Sequence, residues 1–212
     1  MSYNSDREFT DYVHDKLAIP IIYNKMQWKP YRVSNDDIEY HSGLDLKDGV
    51  DYKATTSNGR TITIQERFRD NFYAKYDDFT IRYTRTYNKY DSRRKSEFFK
   101  MTANYLIYGI TNGKKFPDQR HTLTDFLKYA VIDLVALGDL YDTNRVILPH
   151  ATGYTGGNFS RIVERNGKKV LMVGFNLNPD RSSEFISIRI NDLHTLLSAD
   201  FSKVVKLQHG FL

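Results

Sequence analysis

The sequence predicts a mixed α/β (α+β) fold: a mixed central sheet that carries a prominent antiparallel hairpin and is flanked by helices. Three observations predict it. Two Asn-Gly pairs, Asn58-Gly59 and Asn166-Gly167, each join alternating β-forming segments, the strongest short-range hairpin signal in a sequence. Phe9, Tyr12, Val13 and Leu17 recur at helical spacing. The stretch Tyr105 to Ile110 is a short apolar run bounded by Thr111-Asn112-Gly113, which suits a buried strand. Helical and strand signals are interspersed, and antiparallel pairs dominate.

Taken in order, Ser5-Asp6-Arg7-Glu8 has the capping-box form and opens a helix over about Asp6 to Leu17, which Pro20 limits. Ile21 to Val33 is aromatic and irregular, with Trp28, Pro30 and Tyr31, and is expected to pack under the sheet. Val50 to Arg69 forms the first hairpin, Asp78 to Thr84 a third strand, and Tyr105 to Ile110 a fourth after a short helical turn. Thr122-Leu123-Thr124-Asp125 caps a helix through Phe126, Ala130, Leu134 and Leu137, stopped by Gly138. Val163 to Phe175 is a second hairpin, and Ile190 to Leu197 a closing helix. The expectation is one domain over 1–212, with a core over 1–113 and a second half over 118–212.

Composition narrows the chemistry. The chain of 212 residues is 40% hydrophobic and 14% aromatic, with 16 Tyr, a globular rather than disordered composition. Without Cys it has no disulfide, no thiol nucleophile and no Cys-ligated zinc. The six His residues are scattered, with no His-x-x-x-His pair, and His41 alone lies near the hairpin. The first residues are polar and no apolar run reaches about 18 residues, so the expectation is a soluble, cytoplasmic protein with no membrane partner. The signatures of serine hydrolases, kinases and dinucleotide-binding proteins are missing.

The hairpin holds the candidate site. Asp51 lies on its first strand and Gln65-Glu66-Arg67 on its second. With a two-residue turn Asp51 faces Glu66, with β-carbons about 5 Å apart, and the two carboxylates need a cation between them. A divalent metal, Arg67 or Lys53 could supply it. A one-residue bulge would bring Gln65 and Arg67 to the side of Asp51 instead, because alternate residues point to opposite faces. The alternative without function is a surface hairpin with cross-strand ion pairs worth about 0.2–1 kcal/mol each.

Between Arg82 and Lys100 lie seven cations (Arg82, Arg85, Lys89, Arg93, Arg94, Lys95 and Lys100) against Asp91 and Glu97. That local excess equals the formal charge of the whole chain, +5. Tyr83, Tyr87 and Tyr90 are interleaved with it. Cations for phosphates and rings for bases make this a candidate DNA-binding segment, and a solvated loop is its bland alternative. The loop His150 to Ser160 is Gly-rich but lacks the Gly-Lys-Ser/Thr ending of a phosphate-binding loop, and reads as a connector or contact loop.

Over about the first half of the chain, to Gly113, these residues resemble the PD-(D/E)XK nuclease superfamily, the restriction-endonuclease-like proteins. Gly49-Val50-Asp51-Tyr52 matches the Asp-bearing strand, Gln65-Glu66-Arg67 occupies the second signature, and Phe98 to Gly109 is similar to the buried element that follows. The resemblance implies a restriction-endonuclease-like sheet and Mg²⁺ or Mn²⁺ held by Asp51 and Gln65, with Glu66 as a further candidate. It also implies hydrolysis of DNA phosphodiesters by a restriction-type or phage-associated endonuclease, and favours Gln65 and Arg67 as the residues beside Asp51. Arg67 stands where the family has Lys, and a guanidinium stays protonated, so it can steady charge but not accept a proton. The second half of the chain is expected to read sequence or to form a homodimer. The alternatives are a non-catalytic nucleic-acid binder and a protein-interaction or inhibitor module using the Tyr-rich surface.

Overall fold

The computed structural model describes residues 3–31, 50–85, 102–149, 157–178 and 183–212. The first helix, α1 (Tyr3–Val13), begins two residues before Ser5, so the Ser5/Glu8 box does not form its N-terminus. Glu8 instead pairs with Arg120 at 3.5 Å. Nor does Pro20 end the helix. The chain continues through it as a wide π-type segment, His14–Tyr23, and one further turn, Asn24–Met26. In an α-helix the Pro ring would meet the carbonyl four residues back. The wider closure, seen in Asn24 N–H donating to Ile19 O, accommodates it. Leu17, Ala18, Ile22 and Tyr23 on this segment are buried, and that burial stabilises a geometry local propensity disfavours. Gln27, in the left-handed region, ends the helix, and Trp28 packs beneath the sheet.

The strands that follow are β1 (Lys29–Tyr31), β2 (Tyr52–Thr55), β3 (Thr61–Arg69), β4 (Asp78–Arg85), β5 (Tyr105–Thr111) and β6 (Phe126–Asp133). The sequence predicts a helix where β6 stands; the helix, α2 (Leu134–Asp142), begins only at Leu134 and runs through Gly138. The apolar positions of 126–137 fit either period. Tertiary position decides, because Tyr129, Ala130, Val131 and Ile132 are all buried between neighbouring strands, and a helix buries one face only. Beyond it lie β7 (Val146–Ile147), β8 (Arg161–Arg165), β9 (Lys168–Met172), β10 (Gly174–Leu177), β11 (Ser183–Arg189), α3 (Ile190–Leu197) and β12 (Val205–His209). The architecture is mixed α+β with few helices, as the sequence predicts at that level.

The described residues form two compact units. The first falls within Met1–Tyr76, Thr102–Leu134 and Val205–Phe211. It is built on one six-stranded sheet, in the order β1-β2-β3-β5-β6-β12, antiparallel except for the β3–β5 pair. Phe9, Val13, Leu17, Ala18 and Ile22 pack on one face of it, against Tyr52, Ile64, Phe68, Ile107 and Val131. Gly109 is required where β5 passes β6: an added Cβ would lie 2.6 Å from the Phe126 ring. Because β6 and β12 belong to this sheet, the core around the hairpin extends beyond residue 113.

The second unit falls within Asp77–Met101 and Val135–Val204. It holds two three-stranded sheets, β10-β11-β4 and β7-β9-β8. Helix α3 supplies Ile190, Leu193, Leu196 and Leu197 to its core. The second hairpin forms as predicted, with both Asn166 and Gly167 at positive φ and Arg165 opposite Lys168. No helix among the described residues is long and apolar enough to cross a membrane.

Candidate metal and nucleic-acid site

Turn chemistry sets which residues meet. Asn58-Gly59 does not form the two-residue turn that Asn166-Gly167 forms: only Gly59 has positive φ, at 81°. Gly59 N–H donates to Thr56 O, and Thr56 N–H donates to Arg60 O, which closes a three-residue loop with a one-residue bulge at Gly59. Thr56 and Asn58 side-chain oxygens both accept from Arg60 N–H, at 3.1 and 3.3 Å, and these bonds favour the bulged form. Tyr52 therefore pairs with Ile64, rather than with the residue after it, and both side chains enter the core.

This register separates the two carboxylates of the sequence reading. Regular pairing ends at Tyr52, and Asp51 N–H donates to Ile64 O. The Asp51 carboxylate then turns to β3, where Oδ2 accepts from the Gln65 side-chain amide and from the Glu66 backbone N–H, each at 2.8 Å. It so replaces the backbone acceptor that a continuing strand would offer. Gln65 Oε1 is buried and has no hydrogen-bond partner among the described residues. Arg67, two residues along β3 from Gln65, shares its face and is half-buried.

Glu66 points the other way, and the facing Asp51–Glu66 pair expected from a two-residue turn does not form. Its side chain is fully buried. Oε1 accepts from Tyr23 OH at 2.7 Å and lies 2.8 Å from His14 Nδ1. The His14 ring stacks on Tyr52 at 3.8 Å with parallel planes, and Tyr52 OH donates to Asp11 at 2.8 Å. Burial first, and then the Glu66 carboxylate, hold the Tyr23 hydroxyl well above its usual range, so it remains a proton donor. Glu66 thus anchors the π-type segment to the back of the strand whose front carries Gln65 and Arg67. Sequence reasoning passed over His14 and Tyr23. The available signal was an acid at a core position of β3, between Ile64 and Phe68, which requires buried partners.

Among the described residues no group of three His, Asp or Glu side chains is placed to hold a metal. Glu39, His41, Asp45 and Asp48 lie outside them, as do Lys89, Arg93, Arg94 and Lys95 and the side chain of Arg85. Arg82 is half-buried in the second unit, its guanidinium 5.8 Å from the Phe185 ring. The described end of the Gly-rich loop is structural: Asn158 O accepts from Asn176 and Ser187, and Ser160 bonds Asp192 at 2.6 Å. No family model, curated protein or solved structure matches the chain.

Proposed function

We propose that the chain is a restriction-endonuclease-like, divalent-metal-dependent endonuclease that hydrolyses DNA phosphodiester bonds, of restriction or phage-associated type. The observation that carries this reading is the junction of Asp51 and Gln65. A bulged hairpin places an anionic oxygen beside a buried amide whose own oxygen has no hydrogen-bond partner among the described residues. A buried amide oxygen left unpaired costs about 1–3 kcal/mol, and a hard cation is a ligand that would remove that cost. The donor set fits Mg²⁺ or Mn²⁺, which commonly take one or two carboxylates and complete their shell with water and substrate phosphate.

Asp51 and Gln65 would hold the ion, and the Glu66 carboxylate would not, since it is committed to His14 and Tyr23. When bound, such an ion supplies a water acidic enough to attack a phosphodiester at neutral pH. The chain's own contribution is placement and charge. The Glu66 N–H and the Gln65 amide fix the Asp51 carboxylate before substrate arrives. Arg67, on the same face, stays protonated throughout and would steady the charge that builds on the phosphate.

A second reading has its own observation. One carboxylate alone serves this face among the described residues, and Arg67 replaces a residue able to move a proton; both favour a non-catalytic nucleic-acid binder. Incubation with supercoiled plasmid, with Mg²⁺, with Mn²⁺ and with chelator, separates the two. Metal-dependent nicking or linearisation supports the enzyme. Retention on DNA without cleavage supports the binder, and no affinity at low salt removes both.

A further inference from the structure

The face of β3 that bears Gln65 and Arg67 ends at Arg69, and the chain beyond it makes a short, stiff turn, Asn71–Tyr73. Asp70 caps this turn by accepting from Phe72 N–H at 3.2 Å. Asn71 N–H donates to Gly113 O at 3.0 Å, and Lys128 Nζ donates to Tyr76 O at 3.1 Å. A turn so fastened presents an unusual surface. Phe72 is 60% exposed on this hydrogen-bonded turn. Its ring meets Tyr73 edge-on at 5.4 Å, and Tyr73 lies 6.3 Å from Tyr76. Lys75 Nζ sits 5.1 Å from the Phe72 ring and 5.2 Å from that of Tyr76, and the Arg69 guanidinium sits 4.9 Å from Tyr73.

Three rings with two cations laid over them form a set with a specific chemical complement. An apolar partner would leave Arg69 and Lys75 desolvated without a counter-charge. A purely anionic partner, such as a duplex backbone, would leave the exposed Phe72 ring unused. Unpaired nucleotides use both, because bases stack on the rings while phosphates take the cations. We propose that this turn is a stacking platform for unpaired nucleotides, so that the favoured substrate is DNA with a single-stranded stretch beside the scissile bond. Gln65 and Arg69 are four residues apart on one strand, so the platform lies about 13 Å from the Asp51 site. The platform's placement rests on the nuclease reading; its binding chemistry does not.

The test is fluorescence anisotropy in EDTA at low salt, with a labelled oligothymidylate and with a blunt duplex of equal length. The wild-type chain is expected to bind the single strand more tightly. Phe72→Ala is expected to weaken single-strand binding about tenfold and leave duplex binding nearly unchanged, whereas Phe72→Trp restores it. Since Phe72 is exposed, the thermal midpoint of both variants should match wild type. Equal binding of strand and duplex, no effect of Phe72→Ala, or no DNA affinity at all overturns the proposal. The last outcome would point to a protein partner for the rings. Binding read in EDTA is independent of cleavage: plasmid inert in Mg²⁺ overturns the nuclease reading alone, and a null result with oligothymidylate overturns the platform alone.

Discussion

At the scale of single residues, the hairpin carries three polar groups in a row, and their roles follow from which way each points. Gln65 and Arg67 share the opposite face of β3 with Asp51, while Glu66 enters the core beneath the helix. The residue types were legible in the sequence, and so was the choice between two faces. What was not legible was the choice itself, since it depends on a bulge at Gly59 and on buried partners from a helix more than 40 residues away. Glu66 can be tested as a structural acid. Glu66→Ala leaves His14 and Tyr23 without their acceptor and should cost about 3 kcal/mol in urea denaturation, whereas Glu66→Gln, which retains an oxygen for Tyr23, should cost distinctly less. Equal, small losses in both variants would show that the buried bonds contribute little.

At the scale of elements, the two Asn-Gly turns show how far local sequence reaches. Asn166-Gly167 adopts the turn its dipeptide favours, whereas at Asn58-Gly59 the side chains of Thr56 and Asn58 hold Arg60 N–H and select the bulged loop. Both hairpins were legible; the one-residue difference in register was not. The misassigned segment is β6, whose apolar pattern is compatible with a helix and which becomes a strand because neighbours cover both its faces. Pro20 misleads in the opposite sense, since the helix widens rather than ends. The bulge predicts its own sensitivity. An alanine at Gly59 meets no atom within 4 Å, so the cost of Gly59→Ala is that of a left-handed backbone alone, about 1–2 kcal/mol by urea denaturation. A variant as stable as wild type would mean that the loop relaxes to another register, and the Asp51–Gln65 contact would not survive that change.

At the scale of the whole molecule, the first unit draws strands from both ends of the chain, so its sheet could not be delimited from motif positions alone. The second unit holds a different electrostatic feature. Burial holds the Asp78 carboxyl above the usual carboxylate range, and a Ser187 hydrogen bond only partly offsets that effect. In the unfolded chain this group titrates at its ordinary value, so the folded state binds more protons between the two values. Asp78 therefore favours folding most at acid pH, and stability declines as pH rises from about 4 through the raised folded value. Asp78→Asn should remove that decline, giving a thermal midpoint closer to wild type at pH 4 than at pH 7, with the variant the more stable at pH 7. Parallel midpoint curves for the two proteins would rule this out. For function, the decisive measurement is the rate at which supercoiled plasmid is nicked in Mg²⁺ by the wild-type chain and by Asp51→Asn. Asn retains an oxygen for the Glu66 N–H and so keeps the fold while losing the charge. The expected outcome is metal-dependent nicking by wild type, reduced at least about a hundredfold in the variant. Equal rates in the two, or a wild-type chain inert with both Mg²⁺ and Mn²⁺, would show that Asp51 and Gln65 are not a catalytic metal site.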